Sequence, residues 1–205
     1  MFKNLFNPDS PLMITISQIT DCIFLSLFWI IGCIPVVTIG ASFAALYDAT
    51  FRGFRKHERN VWQRFYKTFR GSWKQGILPT AVVVAGFWAL LKGMIALWNM
   101  AAVGEMSMMV FSGCALVGVL GVGILSLVFP VLSRFENSFG GLLRNALLLA
   151  LANMPRTLGL GLVNAVAIFL CARFIVPLFF LPALAALIGT VFIEPVFKPF
   201  MKEAA

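Results

Sequence analysis

LMITISQITDCIFLSLFWIIGCIPVVTIGASFAALYDATF, the run from Leu12 to Phe51, contains no basic residue, and its only acidic residues are Asp21 and Asp48. The apolar residues follow neither the one-sided helical stripe nor the strand alternation that a water-facing element shows. Taken as one unbroken helix, the run would reach ~60 Å, about twice a hydrocarbon core of ~30 Å. A break is therefore required inside it, and Ile34-Pro35-Val36-Val37-Thr38-Ile39-Gly40-Ala41-Ser42 supplies one. Proline cannot continue a helix without losing a backbone hydrogen bond, and the small residues after it let a returning helix approach closely. The expectation is a tight hairpin of two membrane spans, 12–34 and 36–51. The alternative is a single span near 19–39 followed by a surface helix.

The whole chain has the same character. Of its 205 residues 60% are hydrophobic and 12% charged, with a mean hydropathy of +0.95. A water-soluble domain of this size would expose far too much apolar surface. Further apolar stretches predict spans over 77–98, 106–132, 157–172 and 174–193. The fold class expected is thus an all-α polytopic membrane bundle, a single domain over 1–205, of about six transmembrane helices (five under the alternative) arranged as three hairpins. Asp9, Asp21 and the length of the first run argue against a cleaved signal peptide, so the first segment is expected to be retained.

The net charge of +8 would point to nucleic acid in a soluble protein, but here the basic residues cluster in the polar segments between spans. That is the positive-inside pattern, so no nucleic acid is expected and the lipid bilayer is the first partner. With six spans, Lys3, the eight basic residues from Arg52 to Lys74, Arg134, Arg144, Arg156, Lys198 and Lys202 fall on one side, and Arg173 and Lys92 remain for the other. Both termini are then expected in the cytoplasm.

RFYKTFRGSWKQGIL, residues 64–78, aligns with RFENSFGGLLRNALL, residues 134–148, at an offset of seventy with five of fifteen positions identical. An internal repeat is the reading this supports. Each copy is amphipathic at helical spacing, predicting two cytoplasmic interfacial helices, near 59–76 and 134–149. In the first, Trp62, Phe65, Tyr66, Phe69 and Trp73 share one side, while Arg64, Lys67, Arg70 and Lys74 face the other. Rings in the headgroup layer and cations toward anionic lipid or a partner are the expected arrangement.

Catalytic chemistry finds little support. His57 is the only histidine and sits in Arg55-Lys56-His57-Glu58-Arg59, a solvated loop. No phosphate-binding glycine loop, HExxH helix or dinucleotide fingerprint occurs. No catalytic residue, cofactor or metal is therefore expected, and the chain reads as a non-enzyme. Cys22, Cys33, Cys114 and Cys171 lie in apolar runs without CxxC spacing and read as small hydrophobes. The residues that need a reason are the polar ones at membrane depth. Asp21, with Gln18 a turn earlier, is the principal candidate for a structural pair or a functional group. Lys92 can snorkel past Trp98, and Asp48 with Tyr47, near the inner boundary, calls for no special role.

Three segments carry a family resemblance. They are Phe6-Asn7-Pro8-Asp9-Ser10; Pro35-Val36-Val37-Thr38-Ile39-Gly40-Ala41-Ser42 with Ala44-Ala45-Leu46-Tyr47; and Ser133-Arg134-Phe135-Glu136-Asn137 with Asn145-Ala146-Leu147-Leu148-Leu149-Ala150-Leu151-Ala152-Asn153-Met154-Pro155-Arg156-Thr157. Together they resemble the YesL-like family of bacterial integral membrane proteins, over nearly the whole chain. The last is the most specific. Where the family often has basic residues before the first span, this chain has only Lys3. The resemblance implies the bacterial inner membrane, and a genetic setting beside carbohydrate ABC importers without an assigned activity. From it comes the leading expectation, an accessory membrane subunit that binds the importer's permease. The alternatives are an autonomous small transporter or channel, for which Gln18, Asp21, Asn164 and Lys92 are the only polar residues at hand, and an ABC permease-like subunit. Against the last, the loop from Val61 to Pro79 lacks the Glu-Ala-Ala start of a permease coupling loop.

Overall fold

The computed structural model describes residues 11–55, 60–104, 107–134 and 139–202. The segment Phe6 to Ser10, Lys3, His57, Phe135 to Ser138 and Ala205 lie outside them. The described residues form seven α-helices and no strand, an all-α bundle: α1 (Pro11–Cys33), α2 (Ile39–Thr50), α3 (Val61–Ala102), α4 (Met108–Arg134), α5 (Phe139–Ala152), α6 (Met154–Arg173) and α7 (Leu181–Lys202). Among the described residues, α3, α4 and α6 are long and apolar enough to cross a membrane.

The break in the opening run falls at Pro35, whose backbone is extended (φ −79°, ψ 120°). A 3₁₀ turn, Val36–Thr38, then leads into α2. The Thr38 hydroxyl lies 2.7 Å from the Gly32 carbonyl, which the end of α1 leaves without a helical partner, and 2.8 Å from that of Pro35, which also accepts the Thr38 amide at 3.0 Å. Ile34, Val36 and Val37 at this tip are exposed. An apolar turn of this kind belongs in lipid or its interface rather than in water.

The stretch 36–51, expected as the second span of a tight hairpin with small residues at its contacts, is shorter and more enclosed than a lone span. Its α-helical part is twelve residues, which rise about 18 Å, and a π turn over Phe51–Arg55 prolongs it. Nearly all of α2 is buried inside the bundle. Its small residues explain this: Gly40, Ala41, Ser42, Ala44, Ala45 and Ala49 present a thin rod that neighbouring helices can surround. Leu25 of α1, Val61 and Phe65 of α3 and Ala183 of α7 close around its Ala45, Leu46 and Ala49.

The helix expected over 59–76 and the span expected over 77–98 are one continuous helix, the 42 residues of α3. The expected boundary between 76 and 77 falls inside it, as do Gly76 and Pro79. The reason is packing. Val61, Phe65, Ser72, Gly76, Pro79 and Thr80 form a buried stripe at helical spacing that runs along α2 in the opposite direction. At the crossing, a Cβ on Gly40 would collide with Thr80 Oγ1 and come within 3.1 Å of the Gly76 carbonyl oxygen. Instead the Gly40 amide donates to Thr80 Oγ1 (3.0 Å), and that hydroxyl donates to the Gly76 carbonyl (2.5 Å). A second close crossing joins α4 to α6, where a Cβ on Gly161 would strike the Val119 carbonyl and one on Gly123 the Thr157 carbonyl. In lipid, exchanging apolar contacts gains little, so such backbone approaches are what hold helices together.

The remaining core lies where α4, α5, α6 and α7 meet α2. Val131, Leu142, Leu149, Leu160 and Phe197 are buried there with Ala44 and Tyr47. The repeat has a structural counterpart in burial. Ser72, Gly76, Pro79 and Thr80 in α3 and Leu142, Ala146, Leu149 and Ala150 in α5 are all buried, and each pair is seventy residues apart. The copies differ in setting. The first opens a long helix, whereas the second is a separate fourteen-residue helix.

Candidate functional site

Among the described residues, charged side chains concentrate where the C-terminal end of α2 and the π turn after it meet α3 and α7. Asp48, in the last turn of α2, is 1% exposed. Its carboxylate is held on both oxygens. Arg52, one turn later, donates from Nε to Oδ1 at 3.0 Å, and Arg64 donates from Nε to Oδ2 at 2.6 Å. The Thr68 hydroxyl adds a third bond to Oδ2 at 2.8 Å. Two guanidinium groups face this one carboxylate, and the bonds from Arg52, Arg64 and Thr68 occupy the oxygen lone pairs that a general base would need free.

Two further bonds extend the cluster to α7. The Tyr47 hydroxyl donates to Glu194 Oε1 at 2.9 Å, and Arg55 Nε donates to Thr190 Oγ1 at 3.1 Å. Thr190 Oγ1 in turn donates to the Leu187 carbonyl at 2.7 Å. Residues from α2, the π turn, α3 and α7 are thus tied together at one end of the bundle. The arrangement locks the N-terminal hairpin onto the long helix and the C-terminal helix.

Arg64 belongs to this internal network. Lys67, Arg70 and Lys74 remain exposed. The aromatic residues expected on one side of the first amphipathic segment divide: Phe65 is buried and stacks with Phe28 and Phe69, whereas Trp62, Tyr66 and Trp73 are exposed. What α3 offers outward is therefore an aromatic row beside a basic row, with Arg64 on the far flank where it meets Asp48. In α5, Arg144 is exposed at the position that matches Lys74.

Asp21 and Gln18 are both partly exposed on α1. Gln18 lines an open cleft with Phe54, Arg55, Leu187, Ile188 and Val191. Asp21 does not, and it makes no hydrogen bond or ion pair among the described residues. Lys92 does not reach toward Trp98; its Nζ sits 5.3 Å from the ring centre of Trp88, one turn earlier. Asn164 donates to the Leu160 carbonyl of its own helix at 3.0 Å. The four polar residues of the transport reading are therefore scattered over α1, α3 and α6. The four cysteines are free thiols, each half-buried.

Asp48 is the residue that sequence reading passed over. One local signal was present, an arginine four residues after an aspartate in a helical segment. The decisive partners, Arg64 and Thr68, are sixteen and twenty residues away and come close only through the α2–α3 packing.

A family described as "Protein of unknown function, DUF624" matches residues 22–100. The DUF624 match runs from the middle of α1 through nearly all of α3, and so contains Asp48, Arg52, Arg64 and Thr68 with the strip from Trp62 to Lys74. No curated protein and no solved structure matches the chain.

Proposed function

We propose that this chain is a non-enzymatic accessory subunit of the bacterial inner membrane, a YesL-like protein that binds the permease of a carbohydrate ABC importer. The observation that carries the reading is the exposed strip on α3, where Lys67, Arg70 and Lys74 stand beside Trp62, Tyr66 and Trp73 on a helix whose opposite side is fixed to the bundle. Held rigidly, such a strip presents cations and rings in a set order. That order suits an acidic, partly apolar partner surface, and anionic lipid, which the same strip would attract, is the rival that the measurements must separate. The importer setting comes from the YesL-like resemblance; the DUF624 match over residues 22–100 contains one of the three segments that carry it, Pro35 to Tyr47.

The transporter alternative is disfavoured by the scattering of Gln18, Asp21, Lys92 and Asn164. A groove of about 920 Å³ between α3 and α4 is lined by apolar residues and glycines and offers no polar path. The test is purification of the tagged full chain in mild detergent from cells grown on an inducing sugar, with the co-eluting proteins identified by mass spectrometry. Stoichiometric recovery of an ABC permease is the expected result. Recovery of the chain alone, under conditions that keep the importer's own subunits together, would overturn the proposal.

A further inference from the structure

The cleft between α1 and α7 has a construction that the docking reading does not use. It measures about 530 Å³ and is lined by six residues of two kinds. At one end stand a cation, Arg55, and an amide, Gln18. Leu187, Ile188 and Val191 share one face of α7 and, with Phe54, make the wall apolar. Arg55 is held rather than loose. Its Nε donates to Thr190 Oγ1 at 3.1 Å, and Thr190 is anchored to the Leu187 carbonyl at 2.7 Å. Neither terminal nitrogen of its guanidinium meets a carboxylate among the described residues, whereas Arg52 and Arg64 share Asp48. The Gln18 amide, on the facing wall, likewise makes no hydrogen bond among them.

A fixed guanidinium whose outer nitrogens meet no carboxylate among the described residues, an amide opposite and an aliphatic trough beside them match one ligand chemistry. We propose that this cleft binds an anionic glycerophospholipid, its phosphodiester on Arg55 and Gln18 and an acyl chain along Leu187, Ile188 and Val191. The position suits this: Arg55 closes the basic end of the bundle, where headgroups lie, and Ile188 and Val191 are exposed to the surroundings of α7. A guanidinium fork binds phosphate oxygens in pairs, which gives the site preference beyond simple charge attraction. Asp21, a turn along α1 from Gln18, does not line the cleft.

Native mass spectrometry of the detergent-purified full chain reads the proposal directly. Phosphatidylglycerol and phosphatidylcholine with identical acyl chains are added at equal concentration, and the lipid retained is counted. The parent should retain phosphatidylglycerol about fivefold over phosphatidylcholine, the size expected for one basic residue at an anionic site. Arg55→Gln should remove the preference, and Ile188→Trp, which fills the apolar end while leaving Arg55 in place, should lower retention of phosphatidylglycerol. Equal retention of the two lipids by the parent, an undiminished preference in Arg55→Gln, or undiminished retention of phosphatidylglycerol in Ile188→Trp overturns the proposal. So does displacement of phosphatidylglycerol by millimolar inorganic phosphate, because the site would then take a free anion. Should Arg55→Gln fail to fold, the Ile188→Trp result decides alone.

Discussion

Replacing Asp48 with asparagine keeps the shape of the side chain and removes the charge that two arginines share. Removing one partner of a buried ion pair costs ~3–5 kcal/mol, because the charges left behind are neither solvated nor paired. Asp48 is buried, but the side chains of Arg52 and Arg64 keep 28% and 26% of their exposure, so both can turn toward water or headgroups. The lower end of the range is therefore expected, about 3 kcal/mol. Arg64→Gln is milder, since Asp48 retains Arg52 and Thr68; the loss is that of one charged hydrogen bond, about 2 kcal/mol. Once Asp48 is neutral, Arg64 has little left to lose. The double variant should stand near the aspartate variant alone, with a coupling energy of about 2 kcal/mol. The assay is reversible unfolding in mixed micelles, followed by circular dichroism, on the parent and the three variants. Strictly additive losses, or an Asp48→Asn variant within ~0.5 kcal/mol of the parent, the range of an ordinary surface change, would refute the argument that this network holds the hairpin in place.

Gly40→Ala should destabilise by ~1–3 kcal/mol through overpacking against Thr80, Gly76 and Phe129. Gly93→Ala, where a Cβ meets nothing within 4 Å, should be neutral or stabilising in the same unfolding assay. Asp21→Asn should leave the fold intact, since no bond among the described residues depends on the carboxylate, and should reduce sugar uptake in a strain lacking the native copy; uptake equal to the parent's would make Asp21 structural only. With six spans, single cysteines placed at positions 2 and 204 should both resist a membrane-impermeant thiol reagent added outside intact cells. Labelling at position 2 alone would mean five spans.

The all-α membrane class was legible because lipid contact writes itself into composition: apolar residues on every side of long segments, with basic residues gathered between them. The break at Pro35 was legible for a local reason, the missing amide. Continuity of α3 through Pro79 was not, because the sequence shows the proline but not the stripe from Val61 to Thr80 that keeps the helix in register along α2. The split of the aromatic set was hidden for a related reason. Spacing assigns Trp62, Phe65, Tyr66, Phe69 and Trp73 to one broad side, and only the position of α2 decides that Phe65 turns inward and Tyr66 outward. Asp48 was read as a boundary residue because its decisive partners lie on another helix, and Tyr47 meets Glu194 across 147 residues of chain.

The docking account rests most directly on three cations. Lys67, Arg70 and Lys74 can be changed together to glutamine while Arg64, committed to Asp48, is left alone. Membrane insertion of this triple variant is measured by carbonate extraction and co-purification of the permease by quantitative mass spectrometry, in parallel with the parent. The account predicts normal insertion and loss of at least nine-tenths of the permease, since three cations at about 1 kcal/mol each amount to more than a hundredfold in affinity. Normal insertion with undiminished permease recovery would contradict it and leave the strip to lipid and topology.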